Sequence, residues 1–156
     1  KNNNYNIEHY NIFLIREPKK RIVMSLNIHD KIINHYVTTF ILIPKLEKYL
    51  DYRNIATRKN MGSDYGIKLV KKYIELLKKY NQVYVLKLDI SKYFYNIDHQ
   101  VLKELIKSKL TIDEYKIVCA IIDSTNEYYV HDMILKYQKK DPNIPNYELG
   151  KGLPIG

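Results

Sequence analysis

Cysteine and long apolar runs are scarce or missing in this sequence, and each shortage excludes a class of protein. The single cysteine, Cys119, excludes an intrachain disulfide and a zinc site of clustered cysteines. The sequence has neither an apolar run of membrane-spanning length nor a signal-peptide pattern. We therefore expect a soluble, cytoplasmic protein with no membrane partner. The five histidines lack metal-ligand spacing, so we expect surface or capping roles for them.

Positive charge and tyrosine, by contrast, are abundant. The formal net charge is +9, and the chain has 16 tyrosines. Such a balance favours a polyanionic partner, most often nucleic acid. Abundant Lys, Asn, Ile and Tyr are also what an AT-rich genome produces without selection for binding. Composition alone therefore does not identify the function.

The first half of the chain predicts a β-hairpin followed by two helices. Two β-prone runs flank a basic, proline-containing turn, which indicates a hairpin over residues 12–26. Asn27 is expected to cap a helix over 28–49, which Pro44 kinks or ends. The apolar stripe expected to face the core from this helix is Ile28, Ile32, Tyr36, Phe40 and Ile43.

Ser63 is expected to cap the second helix, over residues 63–80. Lysines cover its outer faces. Its inward stripe is expected to be Ile67, Val70, Ile74 and Leu77.

The second half of the chain predicts two further helices. One is expected over 98–109, and the capping-box pair Thr111 and Glu114 begins another over 112–124. A second hairpin is expected around residues 128–137.

Asp89 is the sharpest local signal. It ends an apolar, β-prone run over 82–90, which predicts a strand covered on both faces. A carboxylate there is costly unless it is paired or metal-bound, and Mg²⁺ prefers such hard oxygen ligands. On spacing alone, a turn or helix-capping aspartate is the more common explanation.

Four blocks of this sequence together carry a resemblance to one known family. Residues 88–99 read Leu-Asp-Ile-Ser-Lys-Tyr-Phe-Tyr-Asn-Ile-Asp-His. This block is similar to the first palm motif of bacterial reverse transcriptases, of the group II intron and diversity-generating retroelement kind. Residues 152–156, Gly-Leu-Pro-Ile-Gly, resemble its next motif, a glycine-containing loop. Residues 16–21 with 30–33 look like the fingers hairpin and following helix, and 58–63 looks like the basic segment after them. The blocks follow the family's order and cover most of the chain.

The resemblance implies an α+β fold, the fingers and partial palm of a right-hand polymerase, mostly helical with a small antiparallel sheet. Residues 1–80 would be the fingers and 81–156 a partial palm, truncated after the Gly-Leu-Pro-Ile-Gly loop. The implied activity is RNA-directed DNA polymerisation for a bacterial retroelement, using an RNA template, a DNA primer, deoxynucleoside triphosphates and two Mg²⁺ ions. Since the paired-aspartate motif and the thumb are absent from these residues, we expect an incomplete, inactive fragment whose metal site is empty or weakly occupied.

The resemblance also assigns roles around the nucleotide. Asp89 would bind both magnesium ions, with the Ile90 carbonyl completing part of the shell. Phe94 would lie beneath the sugar and exclude a 2′-hydroxyl, although at least one ring of the Tyr93–Tyr95 run is expected to pack in the core. Ile155 and Gly156 would lie along the incoming nucleotide and template base.

Basic residues complete the implied site. Arg21 would reach the triphosphate, with Lys19 and Lys20 as weaker candidates, because a guanidinium stays charged and binds phosphate in bidentate fashion. An exposed basic hairpin tip is the plain alternative. Arg58 and Lys59 would contact the template backbone.

Two other functions stay open at this point. One is a host-defence relative that synthesises DNA without a template, which only a template-dependence assay would separate. The other is a non-catalytic, maturase-like RNA-binding module. It predicts salt-sensitive RNA binding that survives Asp89→Asn.

Overall fold

The computed structural model describes residues 5–16 and 18–155, so Gly156 lies outside the described residues. The chain divides into two compact units. We call Lys1–Lys45 with Ile90–Gly156 the main unit, and Leu46–Asp89 the insert. Along the described part of the chain, no helix has the length and apolar character needed to cross a membrane.

The predicted hairpin is present in the main unit. Strand β1 (Tyr10–Ile15) pairs antiparallel with β2 (Arg21–Leu26), with Tyr10 opposite Leu26 and Ile15 opposite Arg21. Three consecutive residues of β2, 22–24, are buried, whereas β1 buries Tyr10 and exposes alternate residues beyond it. Strand β2 therefore carries most of the contact with the core.

Helical structure follows from residue 28 to residue 49, as predicted, but it changes form three times. It comprises α1 (Ile28–Tyr36), a π-helical turn (Val37–Leu42), α2 (Ile43–Leu46) and a 3₁₀ turn (Glu47–Tyr49). Asn27 caps α1 as predicted, since its side chain accepts a hydrogen bond from the Asp30 amide at 2.8 Å. The π-turn ends just before Pro44, which has no amide hydrogen to donate.

The predicted inward stripe of this helical stretch is wrong, because all five of its residues, from Ile28 to Ile43, are exposed. The buried face carries Asp30, Val37 and Ile41 instead. The Asp30 carboxylate accepts hydrogen bonds from the Tyr5 hydroxyl at 2.6 Å and the Glu8 amide at 3.1 Å. These two bonds turn the Asp30 face toward the core, where its carboxylate is satisfied.

The second half of the main unit contains the two predicted helices and a third that was not predicted. Helices α4 (His99–Lys107) and α5 (Ile112–Asp123) fall within two residues of the predicted ends. The capping box at the start of α5 is present, and a 3₁₀ turn (Ser124–Asn126) follows it. Residues predicted as a second hairpin form helix α6 (Tyr128–Lys140).

The second-hairpin prediction is wrong because the burial period here is helical. Val130 and Ile134, four residues apart and therefore on one helix face, are both fully buried against the hairpin. The core cluster around them consists of Ile7, Tyr10, Ile22, Met24, Tyr95, Val130, Ile134, Ile144 and Tyr147.

The insert contains helix α3 (Ser63–Leu77), shorter than the predicted 63–80. Ser63 is the first helical residue and Gly62 occupies the capping position, so the prediction that Ser63 caps this helix is wrong. The predicted inward stripe of α3 is wrong as well, since all four of its residues are exposed. All of residues 46–89 are described, and none of them is buried.

The predicted strand over 82–90 is also wrong, because these residues have no regular secondary structure and are exposed. Val85, for example, is 91% exposed. A buried strand needs a neighbouring strand for its backbone and a layer on each face. In the described part of the chain, the sheet consists of β1 and β2, and this segment is not one of its strands.

Candidate functional site

Residues 150–155, which we call the glycine loop, lie along the segment 94–99 in the main unit. The Gly152 amide donates to the Ile97 carbonyl and the Leu153 amide donates to the Phe94 carbonyl, each at 2.8 Å. Asp98 and Lys151 form an isolated antiparallel bridge between the same two segments. The glycine loop is therefore held by backbone pairing, much as one strand is held by another.

Gly152 is required at its position for two reasons. Its φ of +88° lies in the region that L side chains rarely adopt. A Cβ there would also stand 2.4 Å from a carbon of the Tyr147 ring and 3.3 Å from the Tyr95 carbonyl oxygen. The absence of a side chain therefore allows the loop to approach the turn at residues 93–95.

Strand β2 is joined to both of these segments. The Met24 amide donates to the Ile155 carbonyl at 2.8 Å, and the Ile22 amide donates to the Tyr95 hydroxyl at 3.4 Å. Burial raises the pKa of Tyr95, while the Ile22 amide and the charge of Arg21 act in the opposite direction. Arg21, the first residue of β2, is thus close enough to the turn to act on its buried tyrosine.

The 3₁₀ turn Tyr93–Tyr95 places its aromatic rings in different environments. Tyr95 is buried and packs on Tyr147 with ring centroids 4.7 Å apart, so it is the ring of this run that packs in the core. Phe94 is half exposed and contacts Tyr93 edge-on at 5.4 Å. Asn96 fixes the turn by donating its side-chain amide to the Lys92 carbonyl at 3.1 Å.

The predicted phosphate-binding cations differ in how free they are. Arg21 and Lys19 are exposed, and neither has an ion-pair partner among residues 5–16 and 18–155. Lys20 forms a salt bridge with Asp141, the residue that follows α6. Arg21 and Lys19 are therefore the cations best placed to accept an anion at the hairpin.

Asp89 and Ile90 occupy the junction between the units: Asp89 ends the insert and Ile90 begins the second segment of the main unit. Both are exposed. Within the described ranges, no group of three or more His, Cys, Asp or Glu residues could hold a metal ion. The Asp89 carboxylate and the Ile90 carbonyl are hard oxygen donors that suit Mg²⁺, but they supply only part of what two ions need.

Of the two predicted template contacts in the insert, one is already engaged. The Arg58 guanidinium pairs with Glu47 at 3.2 Å and donates to the carbonyls of Asp51 and Asn54 at 3.0 Å each. A nucleic-acid phosphate would have to compete with these bonds. Lys59 is exposed and has no ion-pair partner among the described residues.

One residue that the sequence did not single out is His99. The expectation of a surface or capping histidine is wrong for it, because it is only 2% exposed and lies within a polar network. It occupies the same face of α4 as Leu102 and the buried Ile106. That spacing was the available signal for its burial.

Comparison with known proteins identifies no family for the chain. No family model, curated protein or solved structure matches it. Its function therefore has to be inferred from its own residues.

Proposed function

We propose that the chain forms the nucleotide-facing part of an RNA-directed DNA polymerase, the reverse transcriptase of a bacterial retroelement. The supporting observation is that β2, the turn at 93–95 and the glycine loop, far apart in sequence, are hydrogen-bonded to one another in the main unit. Each brings one group suited to a nucleotide. These are the Arg21 cation, the exposed Phe94 ring and the backbone near Ile155.

Arg21 and Lys19 would bind the triphosphate. The planar guanidinium of Arg21 offers two parallel donors to phosphate oxygens. Lys19 would add a point charge from the hairpin tip. Within the described ranges neither cation has an ion-pair partner, so binding an anion would break no ion pair among those residues.

Phe94 would select the sugar. Its ring is half exposed, while its backbone carbonyl is fixed by the Leu153 amide. An aromatic edge against the 2′ carbon offers no hydrogen-bond partner to a 2′-hydroxyl, which would be buried unsatisfied. Ile155 and Gly156 would lie along the base, where shape rather than a side-chain hydrogen bond makes the contact.

Asp89 would be the catalytic carboxylate. When bound, two Mg²⁺ ions supply the charge that stabilises phosphoryl transfer, and Asp89 with the Ile90 carbonyl would be among their ligands. A primer 3′-hydroxyl would attack the α-phosphate of the deoxynucleotide and lose its proton to water. A new P–O bond would form, the bond between the α- and β-phosphates would break, and pyrophosphate would leave. In this proposal residues 1–80 belong to the fingers and 81–156 to the palm. Arg58 and Lys59 would face an RNA template paired with a DNA primer.

The decisive experiment is Asp89→Asn in the protein as encoded, assayed for deoxynucleotide incorporation on an RNA template with a DNA primer. We expect a loss of about a thousandfold, because a metal contributes several kcal/mol to the transition state and about 1.4 kcal/mol is tenfold in rate. RNA binding should change by less than about twofold, since no phosphate-binding cation is altered. The matched control is Asp64→Asn, which neutralises another exposed carboxylate of the insert. Primer extension by Asp89→Asn at the rate of the unaltered protein would show that the catalytic assignment is wrong.

A second candidate, a non-catalytic RNA-binding module, is favoured by one observation. Within the described part of the chain, no group of three or more His, Cys, Asp or Glu residues could hold a metal ion, while Arg21, Lys19 and Lys59 are exposed cations. This function predicts that the logarithm of the association constant for RNA falls linearly with the logarithm of the salt concentration. It is supported if the unaltered protein binds RNA in this way yet incorporates no nucleotide with or without a template.

A further inference from the structure

His99 is buried, and both of its ring nitrogens have polar neighbours in the main unit. Nε2 lies 2.7 Å from the Gly152 carbonyl oxygen. Nδ1 lies 3.4 Å from the Asn126 side-chain nitrogen and 3.4 Å from an Asp123 carboxylate oxygen. A buried imidazole requires such partners, because an unsatisfied ring nitrogen is costly away from water.

The neighbours of the ring show which nitrogen donates to the glycine loop. The Gly152 carbonyl only accepts, so Nε2 carries a hydrogen and donates to it. The Asn126 side-chain oxygen already accepts from the Gly150 amide at 2.9 Å, which directs the NH₂ group of Asn126 toward Nδ1. The Asp123 carboxylate oxygen lies near Nδ1 as well.

The Gly152 carbonyl is fastened from a second direction as well. The Thr125 hydroxyl, which is buried, donates to it at 3.0 Å. The His99 amide donates to the Gly150 carbonyl at 2.8 Å, so both glycines of the loop are tied to the start of α4. Side-chain and backbone contacts of one residue thus hold two points of the glycine loop.

The consequence extends to Phe94 through a single peptide group. The Gly152 carbonyl and the Leu153 amide belong to one planar unit and point in opposite directions. The carbonyl is held by His99 and Thr125, and the amide donates to the Phe94 carbonyl. Fixing the carbonyl therefore fixes the amide, and with it the turn that carries the Phe94 ring.

We infer that His99 is a positioning residue: through the Gly152–Leu153 peptide, its Nε2–H group holds Phe94 and the glycine loop in register. His99 touches no nucleotide itself. That His99 holds the glycine loop follows from its contacts with Gly150 and Gly152 alone. The effect on sugar selection rests on the proposed function.

The first test uses the 156-residue chain and needs no activity. In His99→Gln the side-chain NH₂ group lies near the position of Nε2, so it can still donate to the Gly152 carbonyl. In His99→Asn the shorter side chain places its NH₂ group near the position of Nδ1, and this donor is lost. The two variants therefore form a matched pair. Amide hydrogen exchange at Leu153 should be roughly fivefold to tenfold faster in His99→Asn and near the unaltered rate in His99→Gln. Thr125→Val, which removes the second donor while keeping the side-chain shape, should shift exchange in the same direction. Equal Leu153 exchange in His99→Asn, Thr125→Val and the unaltered chain would overturn the inference. So would imidazole ¹⁵N shifts that show no hydrogen on Nε2.

The second test measures the ratio of deoxynucleotide to ribonucleotide incorporation in the protein as encoded. His99→Asn should lower this ratio by roughly fivefold to tenfold, while His99→Gln retains it, because one hydrogen bond holds the turn. Phe94→Ala is the reference variant. If Phe94→Ala lowers the ratio and His99→Asn does not, the positioning of Phe94 by His99 is wrong. If Phe94→Ala leaves the ratio unchanged, the proposed function fails in its sugar contact, and Leu153 exchange alone decides the role of His99.

Discussion

The main unit and the insert carry similar apolar helix faces, yet only the main unit buries one. In α6, Val130 and Ile134 are fully buried, whereas in α3 the apolar residues Ile67, Val70 and Ile74 are exposed. The periodicity of the two helices gives no warning of this difference. Amphipathic spacing shows that a helix has an apolar face, and a second element is needed to cover that face.

The hairpin is the element that covers α6. The Tyr10 amide donates to the Tyr129 hydroxyl at 2.9 Å, and the Tyr137 hydroxyl donates to the Ile12 carbonyl at 3.2 Å. The Tyr10 hydroxyl and Ser124 are hydrogen-bonded at 2.6 Å, and burial raises the pKa of Tyr10 to about 12. Directional bonds at the edges and apolar contact between them fix the hairpin against the helix.

The largest effect should come from the same truncation made in both helices. Ile134→Ala should lower the free energy of unfolding of the main unit by about 3 kcal/mol, because it removes buried methyl groups and leaves a cavity. Ile74→Ala, at a side chain that is 52% exposed, should change stability by less than about 0.5 kcal/mol. Urea denaturation followed by circular dichroism measures both. Equal losses in the two variants would mean that Ile74 is covered in solution.

A smaller effect distinguishes the helix starts of the two units. Thr111→Ala should cost about 1 kcal/mol, because it removes the side-chain acceptor for the Glu114 amide in the capping box of α5. Ser63→Ala should cost less than about 0.5 kcal/mol, since Ser63 lies inside α3 and caps nothing. Thermal unfolding of the two variants gives the comparison, and a larger loss from Ser63→Ala would contradict it.

The smallest effect concerns acid. The pKa of Glu114 falls from about 4.5 to about 2, chiefly through its bond with Lys45, and the pKa of Asp51 falls to about 2 through Arg53. A carboxyl group whose pKa is lowered by folding stabilises the fold at a pH above its pKa in the unfolded chain. This stabilisation is lost as the pH falls through its pKa in the folded protein. Lys45 and Glu114 are 69 residues apart, whereas Asp51 and Arg53 are two residues apart, so only the local pair can persist in the unfolded chain.

Between pH 4.5 and pH 2, the free energy of unfolding should therefore fall less steeply with pH in Glu114→Gln than in the unaltered protein. Asp51→Asn should reduce this slope by a smaller amount. Urea midpoints measured across this pH range test it, with carboxyl ¹³C shifts to follow each group. An equal flattening by the two variants would show that the Lys45 contact also forms in the unfolded chain.

The features that could be predicted from the sequence are those that depend on interactions between residues close together in the chain. The Asn27 cap, the capping box at Thr111 and the first hairpin all depend on groups that are close together in the sequence. What failed depends on distant partners. The Asp30 face of α1 is buried where Tyr5 and Glu8 donate to its carboxylate. The second-hairpin prediction is wrong where Val130 and Ile134 of α6 share a core with Tyr10 of β1 and Ile22 of β2.

The candidate site divides in the same way. Gly152 and Phe94 stand out in the sequence through their motifs, but the peptide that links them to His99 is visible only in three dimensions. His99 and Thr125 are 26 residues apart and meet only after α4 and α5 have packed. The apolar run at 82–90 predicted a strand, but nothing in that run specifies a pairing partner.

The main unit is assembled from two separate stretches of chain, and this has a consequence for synthesis on the ribosome. The Tyr10 amide bonds to Tyr129, a separation of 119 residues. At 5–20 residues per second, the hairpin waits roughly 6 to 24 seconds before its helix is made. Throughout that interval Ile22 and Met24, fully buried in the end, have no α6 to cover them. The nascent hairpin can therefore pair with another chain before folding is complete.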